Sequence, residues 1–271
     1  MFPRTNRVWM LCGVVLLGTC TALSADFAAD ANALNKKDYR AAYLEWKAAA
    51  DKGQSIAQYN LGILYLKGMG VAKDPAEAFR LFRLAAEQGV ADAQFQVGRM
   101  REKGVGVPQD YVEAQVWYEL AAKRGDPAAE SALGSLFEQG HGVQQDIARA
   151  IHWYKLAAEQ GQANAQYHLG VLTEKGTGLA VDPAQAVKLY TLAAQQGYAP
   201  AQTRLGSCYA NGKGVEKDLS KAYFWTTLAL KKENKDAEKQ RQRLAAKLSP
   251  EEIAKAEATA AAWKPKPAPV R

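Results

Sequence analysis

The sequence predicts an all-α protein of stacked 36-residue helix-turn-helix repeats, and three observations carry that prediction. Gly53, Gly89, Gly125, Gly161 and Gly197 stand 36 residues apart, each closing an Ala-Ala-x-x-Gly phrase. At the same step, Gly62, Gly98, Gly134, Gly170 and Gly206 follow an apolar residue, and Gly-x-Gly recurs from Gly68/Gly70 to Gly212/Gly214. Asp74, Asp110, Asp146, Asp182 and Asp218 keep the step too, each with an alanine four residues later. A fixed period of this length marks units that bury their apolar faces against their neighbours.

Residues 1–25 stand outside the repeat. Arg4 and Arg7 precede an apolar run over residues 8–23, and Ala22, Ser24 and Ala25 supply a small-residue exit. That is the pattern of a secretory signal peptide, here with a run of about 16 residues against the ~20 of a membrane span. Cleavage is expected near Ala25, placing the mature chain in the periplasm or outside the cell. The alternative is a lipid anchor at Cys20, since Leu17-Gly18-Thr19-Cys20 looks like a lipoprotein box with a bulky Thr19. Residues 26–53 keep Asp38, Ala42, Trp46, Ala49-Ala50 and Gly53 but lack Leu-Gly and Gly-x-Gly, so they read as a degenerate N-terminal cap.

Five full units follow, at 54–89, 90–125, 126–161, 162–197 and 198–233. In the first, Ala57, Leu61, Leu64 and Tyr65 have the spacing of one helix face. Gly62 interrupts that helix at a cost of about 1 kcal/mol relative to alanine, and its regular return predicts the close approach of a neighbouring helix. Gly68 is expected to end the helix in a left-handed conformation, and Gly70 to turn the chain back. Asp74-Pro75-Ala76-Glu77 predicts the next helix start, with the aspartate as N-cap, proline in the first turn and Glu77 closing a capping box. Asp110 with Glu113, and Asp182-Pro183-Ala184-Gln185, repeat the phrase. This second helix should bury Ala78, Leu81, Phe82, Ala85 and Ala86, with Trp117/Tyr118, Trp153/Tyr154, Leu189/Tyr190 and Trp225 in equivalent places. Glu233 replaces the closing glycine of unit five, and 234–263 are predicted as C-terminal capping helices, the second opened by Ser249-Pro250-Glu251-Glu252. Ile253, Ala256, Ala260 and Trp263 share one of its faces, and 264–271 form a Lys/Pro tail expected to be disordered.

Composition narrows the partners. Without Arg4 and Arg7, 33 basic residues face 28 acids, a net charge of +5. The excess gathers late, at Lys231, Lys232, Lys235, Lys239, Arg241, Arg243, Lys247, Lys264, Lys266 and Arg271. On an exported chain this run reads as a solvated cap or as a surface for anionic lipid or wall polymer, and not for nucleic acid. Two of the three cysteines lie in the signal segment, so Cys208 is left without an internal disulfide partner.

The phrase Ala-x-x-x-Leu-Gly-x-x-Tyr, then Gly-x-Gly-Val, Asp, Ala and Ala-Ala-x-x-Gly, resembles the Sel-like repeat, the SEL-one subfamily of tetratricopeptide repeats. Residues 57–89 match it almost throughout, and five in-register copies extend the resemblance over 54–233. It implies a right-handed α-solenoid, a tetratricopeptide-like superhelix whose first helices line a concave surface. It also implies scaffold and adaptor work, often outside the bacterial cytoplasm, in regulation, envelope processes or contact with other cells. Some cysteine-rich secreted relatives are linked to β-lactam-directed activity, but they staple each repeat with a cysteine pair that this chain lacks.

The catalytic signals are poor. Glu174-Lys175-Gly176-Thr177-Gly178 looks like a phosphate loop, yet no strand precedes it and no Gly-Lys-Ser/Thr follows. His141, His152 and His168 fall in a turn, on a second helix and on a first helix, without metal-ligand spacing, and read as ordinary surface histidines. There is no Ser-x-x-Lys and no Gly-x-Ser-x-Gly, which leaves a β-lactam-directed hydrolase a distant alternative to a non-enzymatic protein. No catalytic residue, metal or cofactor is expected.

What remains is the stripe beside the Leu-Gly pair on the first helices, which should line the groove. It supplies Tyr59, Asn60 and Ile63; Phe95, Gln96, Arg99 and Glu102; Ser131, Ser135 and Glu138; Tyr167, His168, Val171 and Glu174; and Thr203, Arg204 and Ser207. Aromatics among amides and arginines suit a protein or peptide partner, while columns free of constraint would vary just as much. Arg101 occupies a column held by Tyr65, Phe137 and Tyr209, where its stem could follow the groove wall and offer the guanidinium to a carboxylate, or mark a local defect like Thr173. The chain itself is expected to be a monomer.

Overall fold

The structure is a computed structural model that describes residues 38–230 and 235–267. The signal segment with Cys20, residues 26–37 of the N-terminal cap, Lys231, Lys232 and 268–271 of the tail lie outside the described residues.

Among the described residues there are helices and no strands. A single helix α1 (Tyr39–Asp51) precedes five pairs. The first helices of the pairs are α2 (Ser55–Lys67), α4 (Ala91–Lys103), α6 (Pro127–Gln139), α8 (Ala163–Lys175) and α10 (Ala199–Asn211). The second helices are α3 (Pro75–Glu87), α5 (Tyr111–Ala122), α7 (Ile147–Glu159), α9 (Pro183–Gln195) and α11 (Leu219–Leu230). Two closing helices follow, α12 (Lys235–Ala245) and α13 (Pro250–Ala262). The chain forms an all-α solenoid in two compact units, ending at Asp126 and beginning at Pro127. Within each unit every helix up to α12 packs on the one before it in sequence, and α13 returns to pack on α11.

Local chemistry sets the helix ends. Asp74 accepts from the backbone N–H of Ala76 and Glu77, and Asp110, Asp146, Asp182 and Asp218 each accept from the residue three on. The expected capping box does not close at Glu77, whose carboxylate pairs with Arg80 at 2.7 Å, nor at Glu113, which pairs with Arg101. A complete box forms at Ser249 and Glu252. Gly68, Gly104, Gly176 and Gly212 end the first helices in the left-handed conformation. The second glycine of three of these Gly-x-Gly turns has a further use: a Cβ on Gly70, Gly106 or Gly214 would collide with the carbonyl of Tyr39, Pro75 or Pro183, so the turn rests on the start of the preceding helix of the second kind.

The helical glycines admit an aromatic ring from their own repeat. A Cβ on Gly134 would stand 2.6 Å from the Tyr154 ring, and one on Gly170 2.7 Å from Tyr190. Tyr118 lies over Gly98 and Phe82 over Gly62 in the same way, whereas Gly206 faces Thr226. Tyr118, Tyr154, Tyr190 and Phe82 are wholly buried, while Trp117, Trp153 and Trp225 beside them on the second helices are half-buried. The tyrosine, more than the tryptophan, fills the repeat.

Consecutive repeats are fastened by a buried glutamine column. Gln94 Nε2 donates to the Ala86 carbonyl (3.1 Å), Gln166 to Ala158 (3.3 Å) and Gln202 to Ala194 (3.2 Å). Gln196 then donates to Gln166 Oε1 at 2.9 Å. In the third repeat the column holds Glu130, 5% exposed, which accepts from Gln160 Nε2 at 2.8 Å. At the C-terminal end, Tyr223 Oη donates to Glu257 (2.8 Å), and Trp263 meets Trp225 edge to face. Residues 264–267 are exposed, and the Lys266 N–H donates to the Gln195 carbonyl at 2.8 Å. Cys208 is buried on α10, and burial pushes its thiol up to about 11.

Candidate protein-binding face of the first helices

Each long tyrosine runs beneath its glycine and brings its hydroxyl out beside a glutamate in the last turn of the first helix. Tyr118 donates to Glu102, Tyr154 to Glu138 at 2.7 Å and Tyr190 to Glu174 at 2.6 Å. Burial raises all three phenols above the ordinary range, and the adjoining carboxylates push the same way. These phenols stay neutral donors. A row of glutamates thereby becomes a fixed part of the face.

In the second unit the glutamates gather basic side chains. His168 Nδ1 lies 3.1 Å from Glu138 Oε2, and the imidazole stacks on Tyr154 with ring centroids 5.1 Å apart and planes 9° apart. The hydrogen bond from His168, then that from Tyr154, hold the Glu138 carboxyl below the usual glutamate range against the effect of burial. His168 is therefore half-buried and paired, a correction to its reading as an ordinary surface histidine. For Glu174 burial pushes upward, but Lys213 Nζ at 2.8 Å and the Tyr190 hydroxyl outweigh it and the carboxyl ends below the usual range. Arg204 Nη1 stands 3.9 Å from the same carboxylate. Tyr167 packs against Tyr190 and Tyr198, with centroids 6.0 Å and 5.4 Å away, and meets His168 edge to face. Tyr198 Oη donates to Asn164 Oδ1 (2.9 Å), and Asn164 Nδ2 donates to Ser131 Oγ (3.1 Å).

The other expected groove residues divide. Tyr59 packs on Phe82 and Phe95 on Tyr118, with the Arg99 guanidinium 6.0 Å above the Phe95 ring. Ile63, Gln96, Ser135, Val171 and Thr203 are half-buried on the same columns. Ser135 Oγ accepts from Gln139 and also reaches the Tyr154 hydroxyl, and Thr203 Oγ1 donates to the Ala199 carbonyl. Asn60 and Ser131, at 7% and 1% exposure, belong to the packed interior and leave the candidate set. Arg101 leaves it as well. Its Nε lies 2.7 Å from Glu113 Oε2, its guanidinium covers the Phe79 ring at 5.1 Å, and Nη1 donates to the Pro108 carbonyl. It ties second-helix residues together and offers no fork to a ligand. The glutamate row is the part that residue-by-residue reading underrated, although Glu102, Glu138 and Glu174 stand 36 apart in the sequence.

Among the described residues, no cluster of three His, Cys, Asp or Glu side chains is placed to hold a metal, and no helix is long and apolar enough to cross a membrane.

Comparison with known proteins places this geometry. No curated protein matches the chain. A Sel1 repeat protein from Oxalobacter formigenes superposes with a TM-score of 0.74 at 32% identity, covering 90% of this chain and 98% of that one. An immunity protein from Pseudomonas aeruginosa shares the fold at 24% identity and a TM-score of 0.50, over 73% of this chain and 75% of its own. The Sel1 repeat profile matches residues 55–90, 91–126, 127–162, 163–198 and 199–234, each one residue later than the period set by the closing glycines. With five consecutive matches and this structural agreement, the chain belongs to the Sel1 repeat family.

Proposed function

We propose that the chain is an exported, non-enzymatic adaptor that holds a protein or peptide partner against its first helices. Sel1 repeat proteins are generally protein-interaction scaffolds, which supports the coarse reading. The observation that carries the rest is the half-buried set Tyr59, Phe95, Arg99, Tyr167, His168 and Arg204 on the first-helix face of repeats one, two, four and five. Aromatic and arginine side chains held in fixed positions are what binding hot spots use. Export rests on Arg4, Arg7 and the apolar run at 8–23, with a role in the envelope or in contact with other cells as the setting. Intact mass of the processed protein beginning near Asp26 supports it, and a full-length chain in the cytoplasm removes it.

Crosslinking in the native compartment identifies the partner, and alanine at Phe95, Arg99 and Tyr167 tests the face. Binding should fall by ~2 kcal/mol or more, about thirtyfold, with the fold retained. Unchanged affinity in a folded variant moves the interface to the second helices or the C-terminal end. A second reading, attachment to anionic lipid or wall polymer, is favoured by the exposed Lys239, Arg243, Lys247, Lys264 and Lys266, while Arg241 is engaged with Glu257 at 3.2 Å. Salt separates the two, because exposed charge contacts weaken as the Debye length shrinks below ~8–10 Å.

A further inference from the structure

Three columns of the repeat meet at Glu174 in the second unit, and their chemistry changes along the chain. The glutamate column reads Leu66, Glu102, Glu138, Glu174, Ala210. The column facing it from the next helix reads Asn60, Gln96, Ala132, His168, Arg204, and the turn column reads Met69, Val105, His141, Thr177, Lys213. Only at the last joint do a guanidinium and an ammonium converge on one carboxylate. The Glu174 side chain is 10% exposed, whereas those of Arg204 and Lys213 are 43% and 52% exposed. One covered negative charge therefore holds two open positive ones, and the surplus faces solvent.

The details favour an incoming carboxylate. Glu174 spends its oxygens on Tyr190 and Lys213, and Arg204 at 3.9 Å lies beyond hydrogen-bond reach of it. The planar fork of Arg204 is thus presented at a fixed place beside the Lys213 ammonium, the arrangement that a carboxylate bridges best. One joint further on, Ala210 supplies no acid. There α12 docks on α10 through Ser207 Oγ and Gln240 Oε1 at 3.2 Å, bringing exposed Lys239 and Arg243 along with Asp236 and Glu238 of its first turn. Half-buried Tyr167 hydrogen-bonds the Arg204 guanidinium, and Tyr198 and Val171 pack with Tyr167 on the same apolar cluster.

Resting on the adaptor reading above, we infer that this corner of the second unit binds an acidic peptide segment, with a carboxylate on Arg204 and Lys213 and a neighbouring side chain on Tyr167. Lipid headgroups fit less well, because the cations share their site with Glu174 and are flanked by rings instead of spreading over an open surface. The test measures binding of the full chain to fluorescent poly-L-glutamate by anisotropy, alongside sedimentation with phosphatidylglycerol vesicles. R204A/K213A should weaken the polymer by about tenfold or more, while K155A/K188A, which removes exposed lysines from the second helices, should change it by less than about twofold. Arg204→Lys, which keeps the charge and loses the fork, should fall between them, and far-ultraviolet circular dichroism confirms that each variant is helical. Equal losses from both double variants, no polymer binding, or vesicle binding that needs Arg204 and Lys213 overturns the inference. A partner whose capture needs Phe95 and Tyr167 but not Arg204 and Lys213 leaves the adaptor reading standing and removes this one alone.

Discussion

Replacing Gly134 by valine puts a branched side chain where the Tyr154 ring lies, 2.6 Å from the first added carbon. The ring has no room to move, since Tyr154 is wholly buried and its hydroxyl is tied to Glu138. Overpacking should outweigh valine's better helix propensity and cost about 2–4 kcal/mol in urea unfolding. A variant that melts within a degree or two of the parent would show the ring stepping aside. Glu138 makes a pH prediction. Its folded pKa is lowered, so its contribution is complete above the ordinary glutamate value of ~4.3 and is lost as pH falls through the lower folded value. The stability gap between the protein and Glu138→Gln should therefore be full near neutrality and close in acid; a gap that persists there would mean that the carboxylate charge contributes nothing. Arg101 shows what one residue hides. Its place in a core column was visible, but its partner Glu113 sits on another helix, and sequence spacing alone does not pair them.

At the level of helices, the starts and stops were legible because they depend on neighbouring residues. Asp182→Ala removes the acceptor for the Gln185 N–H and should cost about 1 kcal/mol, read from the melting curve. No change would mean that water or another group takes over the cap. The capping box was misread at Glu77 because Arg80, one turn along the helix, competes for the same carboxylate. Face assignment was harder. A first helix in a stack is covered by its own second helix and by the one before it, so its buried arc is wider than a two-layer amphipathic pattern suggests. Asn60 falls within that wider arc. Trp153 and Tyr154 are adjacent and equally aromatic, and only the packed helices show which one enters the glycine's space.

For the whole chain, the 36-residue step made the fold legible because each copy repeats the same demand on its neighbours. The glutamine column keeps that step too, at Gln58, Gln94, Gln166 and Gln202, and Glu130 is the position that breaks it. A carboxylate 5% exposed carries a desolvation cost that an amide avoids, while Gln160 can still donate to an amide oxygen. The closing helices test the array in a different way. Deleting residues 250–271 takes Glu257 from Tyr223 and uncovers the side of α11 against which Ala256 and Ala260 are buried. Solenoids need such ends, and calorimetry should record a loss of about 5 °C or more.

Cys208 gives the second unit its own clock. A buried thiol whose pKa is pushed up to about 11 has almost no thiolate to meet an alkylating reagent, so labelling waits for the last repeat to open. The rate of iodoacetamide capture then reports the free energy of that opening, without a denaturant and without a new label. Because Cys208 and Arg204 share α10, a ligand seated on the cationic corner should slow the clock in proportion to its occupancy.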